Sequence, residues 1–186
     1  MIKTILGWDI SSATTAYAVI EIDDKTKDIK FIKSDYIKPL KKGTILERVA
    51  DTRNKVQKII NDVKPDYIAI EDIVSFIRNK STARTVIVLT TFNRMIGLLS
   101  YDYLKGPPEL LSVLTIRHGL KTNNKFPAKE EMPELVAQHL GIKFPYEYNK
   151  KGKIKVESMD KADSIAVALY YAFMLTGKAK AKVKKK

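Results

Sequence analysis

The sequence contains no cysteine and only two histidines, His118 and His139. Without thiols, the chain has no disulfide bridges, no zinc-thiolate sites and no thiol catalysis. Two histidines far apart in the sequence also make a histidine-based metal site a poor match. Any metal ion bound by this chain is therefore expected to be held by oxygen ligands.

Long apolar runs are also missing. The longest runs, such as residues 68–70 and 165–169, fall far short of the roughly 20 residues that a transmembrane helix requires. The N-terminus lacks the apolar segment of a signal peptide. These absences predict a soluble, cytoplasmic protein with no membrane partner.

Acidic residues are scarce relative to basic ones. The 34 Lys and Arg outnumber the 21 Asp and Glu and give a formal net charge of +13. A field of this sign attracts polyanions, so nucleic acid is the expected partner. Part of the excess lies in the lysine-rich residues 178–186, which are predicted to form a disordered basic tail. Residues 1–177 are sufficient for one hydrophobic core and predict a single domain.

The first half of the chain is patterned as a sheet with two helices. Period-two apolar runs predict three antiparallel strands. An amphipathic helix is then expected from Leu46 until Pro65 stops it, followed by a short buried strand that ends at Glu71. The predicted strands cover residues 2–8, 16–22, 29–36 and 67–70, and a long helix covers residues 82–104, with more apolar positions than one buried face needs.

The second half of the chain is predicted to be mostly helical. Residues 110–116 suit either a fifth strand or a short helix, and residues 121–127 a basic loop. Residues 129–140 are predicted to form one helix, and residues 144–157 an exposed loop. A final helix with one continuous apolar face is expected to be capped by Ser158.

Four acidic residues occupy the ends of predicted elements. Asp9 closes the first strand, Glu71 closes the fourth, and Asp160 and Asp163 lie at the start of the last helix. A spacing of three residues puts this last pair on one helix face. Taken singly, an acid at a strand end is more often a turn residue, and acids in a first helical turn are favoured by the helix dipole. Their combination in three distant segments favours a shared site.

An all-carboxylate set matches the preference of Mg²⁺ or Mn²⁺ for hard oxygen ligands. Two such ions about 3.5–4 Å apart activate a water and stabilise the leaving oxygen during phosphodiester hydrolysis. The acids and the basic charge together favour a metal-dependent nuclease.

Three segments that carry these acids resemble the RuvC family of Holliday junction resolvases, particularly its phage-like members. They are residues 6–19 (LGWDISSATTAYAV), residues 67–72 (YIAIED) and residues 160–166 (DKADSIA). The resemblance spans roughly residues 5–172. Ser11 and Ser12 stand in the opening turn, where family members more commonly have proline and glycines, so the geometry of that turn stays open.

The resemblance implies an α/β protein with an RNase H-like fold, in which helices flank a mixed five-stranded sheet. It implies that Asp9, Glu71, Asp160 and Asp163 hold divalent ions, with two ions per site. It also implies a homodimer that nicks opposing strands of a four-way DNA junction without a nucleotide cofactor. Two-fold symmetry of the enzyme would then match that of its substrate.

The resemblance further implies a set of DNA-contacting residues, each of which also suits an ordinary surface charge or, for phenylalanine, a core position. Lys129 resembles a family lysine that neutralises the scissile phosphate, and Arg117 or Lys121 is a candidate for a similar earlier role. An aromatic residue after the glutamate strand stacks on a base near the junction centre in this family. The remaining candidates are Phe76 for that stacking, and Arg78, Lys80, Arg84 and Lys125 for phosphates.

Three alternatives remain open at this point. One is a nuclease of the same fold with broader specificity, acting on flaps, other branched DNA or RNA:DNA hybrids. Another is a sugar kinase or actin-like ATPase. Residues 7–15 superficially resemble the phosphate-binding turn of these proteins, but such proteins need two domains. The third is a basic protein that only packages or bends DNA, for which four acids near phosphate would be unfavourable.

Overall fold

A computed structural model describes residues 1–73, 82–122 and 125–179 of the chain. Its first three strands are β1 (Ile2–Ile10), β2 (Thr15–Asp23) and β3 (Ile29–Ile37). Both β1 and β3 pair with β2 in the antiparallel direction. The predicted three-stranded meander is therefore confirmed.

Helix α1 (Ile45–Val63) joins the meander to the middle of the sheet. It begins with a capping box between Thr44 and Glu47 and ends at Lys64, which adopts the left-handed conformation just before Pro65. Strand β4 (Tyr67–Glu71) then pairs with β1 in the parallel direction. The proline stops the helix as predicted, since its ring cannot continue the helical hydrogen-bond ladder.

The long predicted helix is α2 (Ala83–Leu104), and two short elements follow it. Strand β5 (Glu109–Leu111) pairs in parallel with β4, and α3 (Val113–Leu120) starts two residues later. Both alternatives expected for residues 110–116 are thus present. The first residues of this segment belong to the strand, and the later ones belong to the helix. The sheet order is β3-β2-β1-β4-β5, which is the mixed five-stranded sheet that the family resemblance implied.

The segment before the last helix differs from its prediction. A 3-10 turn at Lys129–Glu131 precedes α4 (Met132–Leu140), so the single helix predicted from residue 129 is divided. Pro133, at the second position of α4, has no N–H to donate and is tolerated there because an N–H at that position would have no partner within the helix.

The last helix, α5 (Val156–Thr176), begins earlier than predicted. Its N-cap residue is Lys155, so the predicted capping role of Ser158 is wrong. Ser158 is fully buried inside the helix, where its hydroxyl accepts a hydrogen bond of 2.9 Å from the Glu147 N–H. The serine joins the preceding loop to the helix instead of starting the helix.

The sheet separates two hydrophobic cores. On one face, β1, β2 and β4 pack against α5, with α3 and α4 alongside. On the other face the same strands pack against α1 and α2. Strand residues alternate between the two cores, because successive side chains of a strand point to opposite faces. Ile5 faces the α5 side, Leu6 and Trp8 face the α1–α2 side, and Ala69 and Ile70 of β4 alternate in the same way.

The C-terminal end of the described chain lies against the body of the protein. Lys178 donates a hydrogen bond of 2.8 Å to the Lys27 carbonyl, and Ala179 packs at the edge of the α5 core. Residues 180–186 of the predicted tail lie outside the described residues. Among the helices that the structure describes, none has the length and apolar character needed to cross a membrane.

Helix α5 approaches β1 unusually closely at Gly7. A Cβ atom added to Gly7 would lie 2.7 Å from the Cβ and N atoms of Ala168 and 2.8 Å from the Ser164 carbonyl. These contacts are mainly with backbone, which cannot move aside as a flexible side chain can. Only glycine permits the observed separation of helix and sheet.

We therefore predict that Gly7→Ala destabilises the protein by about 1–3 kcal/mol, the usual cost of overpacking a core. The control is Gly106→Ala, where an added Cβ meets nothing within 4 Å. Its effect should stay within about 0.5 kcal/mol. Urea unfolding monitored by circular dichroism measures both variants, and equal stabilities would contradict the predicted clash.

Candidate active site

Asp9 and Glu71 lie side by side at the ends of neighbouring parallel strands. The last paired residues of β1 and β4 are Trp8 and Ile70, and the two acids are the next residues along each strand. Because side chains alternate, both acids point to the face that α5 covers. Both are partly buried. The two carboxylates that were predicted at strand ends therefore lie at the same end of two neighbouring strands.

Asp160 and Asp163 reach the same place from α5. The helix begins at Val156, so Asp160 is its fifth residue and Asp163 its eighth. Both lie beyond the first turn, where the helix dipole favours acids. The dipole therefore does not account for the pair, and Asp163 is only 9% exposed.

The pKa values of the first two acids show that the four carboxylates act on one another. Burial raises the pKa of Asp9 well above its usual range, and the charges of Glu71, Asp163 and Asp160 raise it further. Burial and the charge of Asp163 raise the pKa of Glu71 to about 7. We call these four acids the carboxylate pocket.

The ammonium group of Lys129 lies among the acids. Its Nζ is 3.3 Å from Asp163 Oδ2 and 3.8 Å from Asp160 Oδ1. Burial lowers the lysine pKa, but the charges of Asp163, Asp160 and Asp9 outweigh that effect and raise it overall. Burial also raises the pKa of Asp160 and of Asp163, which the charge of Lys129 opposes. Lys129, the candidate for neutralising the scissile phosphate, thus lies beside the predicted metal ligands.

The other sequence candidates are divided by the structure. The positive charge of Arg117, on α3, lowers the pKa of Glu71 and of Asp163, so it acts electrostatically on the pocket. Lys121 and Lys125 line a neighbouring depression of about 240 Å³, where Lys125 pairs with Glu131 at 2.8 Å. Arg84 is exposed in the first turn of α2. Phe76, Arg78 and Lys80 lie outside the described residues.

Two supporting contacts were not predicted from the sequence. The Asn93 side chain, buried on α2, donates a hydrogen bond of 2.9 Å to the Glu71 carbonyl and so fixes the end of β4. Lys161 is buried next to Asp160 and donates to Glu147 over 2.8 Å. The only signal of these roles in the sequence is a polar residue within an apolar helical pattern, at Asn93 in α2 and at Lys161 in α5.

The donor set suits a hard divalent cation. All four candidate ligands are carboxylates. Their combined negative charge is offset only in part by the positive charges of Lys129 and Arg117. Within residues 1–73, 82–122 and 125–179, no three acidic or histidine side chains lie close enough together to hold an ion as they stand. Coordination would therefore require the carboxylates to close around the ion.

The sheet order and the flanking helices define the class of the protein, an α/β protein with the RNase H-like fold. Residues 5–105 match the family model described as crossover junction endodeoxyribonuclease RuvC, and the chain belongs to this family.

Relatives with the same description agree in length and extent. The RuvC protein of Acidobacterium capsulatum is 27% identical over 146 residues, covering 76% of this chain and 82% of the relative. That of Ehrlichia ruminantium is 26% identical over 172 residues, covering 92% and 97%. The similarity to the second relative therefore extends over nearly the whole of both proteins, and the similarity to the first over about three quarters of this chain.

Solved structures share the fold. The structure of Thermus thermophilus RuvC in complex with Holliday junction substrate has a TM-score of 0.68 at 17% identity, covering 95% of this chain and 98% of that one. The yeast mitochondrial Holliday junction resolvase Ydc2 has a TM-score of 0.63 at 16% identity, covering 94% and 78%. The predicted RNase H-like fold is thereby confirmed.

The raised pKa of Glu71 predicts how the stability of the metal-free protein depends on pH. Between its ordinary value of 4.5 and about 7, the folded protein keeps a proton that the unfolded chain has lost. Stability therefore falls as pH rises through this window. Glu71→Gln should flatten the fall and stabilise the protein at pH 7.5, as measured by urea unfolding with a chelator present.

Asp66→Asn is the matched control for this prediction. Burial acts to raise the pKa of Asp66, but hydrogen bonds from the Thr4 N–H and the Lys3 ammonium lower it on balance. Its charged form therefore stabilises the fold above its ordinary pKa, and Asp66→Asn should destabilise the protein at pH 7.5. A loss of stability in both variants would contradict the electrostatic strain at Glu71.

Proposed function

We propose that this protein is a structure-selective endonuclease that resolves four-way DNA junctions by metal-dependent, symmetric hydrolysis of two phosphodiester bonds. The observation that carries the proposal is the carboxylate pocket at the end of two parallel strands, within a fold and family of junction resolvases. Its substrate would be junction DNA of a nucleoid or of a virus, in the cytoplasm.

The four acids are proposed as the ligands of Mg²⁺ or Mn²⁺, with two ions per site. Carboxylate oxygens are the donors that both ions prefer, and the raised pKa values of the acids indicate a site that gains from added positive charge. When bound, such ions supply an activated water and stabilisation of the leaving oxygen.

Lys129 and Arg117 are proposed to bind the phosphate that is cut. Both carry positive charge at the pocket, and the Lys129 side chain is 48% exposed, so a phosphate can approach it. An ammonium and a guanidinium group favour the negative charge that develops on phosphate oxygens. Other phosphate contacts are proposed for Arg84, Lys121, Lys125, Arg78 and Lys80, with Phe76 for base stacking.

The ligand assignment predicts that Asp9→Asn and Glu71→Gln each reduce junction cleavage by more than about 100-fold, the upper end of what changes outside the first coordination shell cost. Binding to the junction in metal-free buffer should persist or tighten, because each change removes a negative charge near phosphate. Asp24→Asn, in the exposed turn after β2, should leave cleavage unchanged. Gel assays of cleavage and binding on the same DNA measure both effects.

Substrate choice separates this proposal from a broader nuclease of the same fold. The test compares matched four-way, flap, linear duplex and RNA:DNA hybrid substrates with each metal. Paired nicks at symmetric positions, confined to the four-way DNA, are the expected result. Preferential cutting of the hybrid or of flaps would replace junction resolution with the broader activity.

A homodimer is proposed to form through the outer face of α2. Ile87, Leu98 and Tyr101 are 64%, 63% and 50% exposed, and with Arg94 they recur at spacings of seven, four and three residues. This spacing forms one seam along a helix, as in helices that pack against a twin. We call these four residues the α2 stripe. A self-complementary stripe suits a two-fold dimer whose two pockets face two strands of one junction.

The dimer proposal predicts that Leu98→Glu converts the protein to a monomer, because each copy would have to bury an unpaired carboxylate. Leu46→Glu is the matched control, since Leu46 is a leucine of similar exposure, 73%, on α1. Sedimentation velocity should report a dimer for the wild type and the control. A monomeric wild type, or dissociation of the control as well, would rule out this interface.

A further inference from the structure

The segment between α4 and α5 forms a hydrogen-bonded hairpin. Tyr148 and Ile154 form an antiparallel bridge across it, and the Asn149 N–H donates to the Lys153 carbonyl over 2.8 Å. The side-chain oxygen of Asn149 accepts from two backbone N–H groups of the turn at 2.8 and 3.1 Å. Residues 147–155, which we call the α4–α5 hairpin, are therefore an ordered element.

The base of the hairpin is fixed beside the carboxylate pocket. The Glu147 carboxylate accepts hydrogen bonds from Lys161 at 2.8 Å and from Lys155 at 3.1 Å. The Glu147 N–H donates to the buried Ser158 hydroxyl. Lys161 directly follows Asp160 in α5, so the helix that carries two proposed ligands also sets the position of the hairpin.

The tip of the hairpin carries positive charge that is not neutralised locally. Lys150, Lys151 and Lys153 are exposed, and none of them takes part in an ion pair within the described part of the chain. The hairpin has one acid, Glu147, and that acid is occupied by Lys155 and Lys161 at the base. Three cations are thus free to attract phosphate.

An aromatic side chain accompanies these lysines. Tyr148 is 58% exposed, and its bridge partner Ile154, 42% exposed, lies on the same face of the hairpin. A row of rings supports it. Phe144 is buried in the core, and its ring centroid lies 4.8 Å from that of Tyr146. The Tyr146 ring centroid lies 6.4 Å from that of Tyr148. Aromatic rings among lysines are the composition of surfaces on which bases stack and phosphates bind.

The hairpin and Arg117 lie on different sides of the pocket. Arg117 is on α3, which follows the edge strand β5. The N-terminal end of α5, next to the hairpin, is held toward the other edge strand, because Glu157 pairs with Lys38 just after β3. Branched DNA seated over the acids would therefore extend past the hairpin as well as past Arg117.

We propose that the α4–α5 hairpin is a second DNA-contacting element, in which Lys150, Lys151 and Lys153 bind backbone phosphates and Tyr148 packs against a base exposed at the branch. This inference rests on the proposed function, since it takes DNA as the substrate of the pocket. It adds a surface on the β3 side of the pocket, formed by an element that follows α4.

The test compares two triple variants of the full chain that remove the same charge. One changes Lys150, Lys151 and Lys153 to Gln, and the control changes Lys25, Lys27 and Lys30 to Gln. Lys25 and Lys27 lie in the turn between β2 and β3, and Lys30 lies at the start of β3. All three are about 30 Å from the acids, at the other end of nine-residue strands. The affinity for a four-way junction is measured over a salt series in metal-free buffer.

The hairpin variant should bind at least about 10-fold more weakly at moderate salt. Its log-log salt slope should fall by about 2–3, at roughly 0.9 per lost phosphate contact, while the control slope changes by less than about 1. Equal changes in the two variants would overturn the hairpin contact and leave only a net-charge effect. Because binding is measured without metal, a wild type that binds the junction but never cuts it would refute the proposed function separately.

Tyr148 is tested on its own with Tyr148→Ala and Tyr148→Phe. Loss of one base stacked on a ring lowers affinity by about 5- to 150-fold, whereas Phe keeps the stacking face. Relative to wild type, the alanine variant should therefore lose more affinity for the junction than for continuous duplex. The phenylalanine variant should match wild type. Wild-type binding by the alanine variant would exclude stacking at this position.

Discussion

The close contact between α5 and β1 at Gly7 is the constraint on which the carboxylate pocket depends. Backbone and Cβ atoms of Ala168 lie where any side chain at position 7 would stand. The same helix carries Asp160 and Asp163, whose charges raise the pKa of Asp9 at the end of β1. A larger residue at position 7 would separate helix from sheet, and the acids on α5 from the acids on the strands.

This packing holds like charges together, so the pocket opposes folding when no added cation is present. Burial raises the pKa values of all four acids, and repulsion from neighbouring acids raises those of Asp9, Glu71 and Asp160 further. Lys129 and Arg117 compensate only in part. The same imbalance favours binding of a divalent cation, because the ion removes repulsion that folding has already imposed. Reduced stability of the metal-free protein and affinity for metal would then have one physical origin.

Much of the fold was predictable because it depends on local periodicity. Alternation along β1 and β4 decides which face Asp9 and Glu71 share, and a spacing of three residues decides that Asp160 and Asp163 point together. The start of α5 was not predictable, because a contact from Glu147 in the preceding loop buries Ser158 inside the helix. The support of β4 by Asn93 likewise joins segments 22 residues apart. Such contacts leave no periodic trace in the sequence.

The two faces of the sheet carry different tasks in the proposed enzyme. Helix α2 packs on the face opposite α5, and the α2 stripe is exposed on that side. A twin bound there would leave both pockets open to DNA. At each pocket, the acids themselves repel phosphate until a cation is bound, so attraction has to come from groups around them. In the proposed enzyme, Arg117 on one side and the α4–α5 hairpin on the other would supply it. Four acids at the proposed reacting centre are then compatible with a net charge of +13.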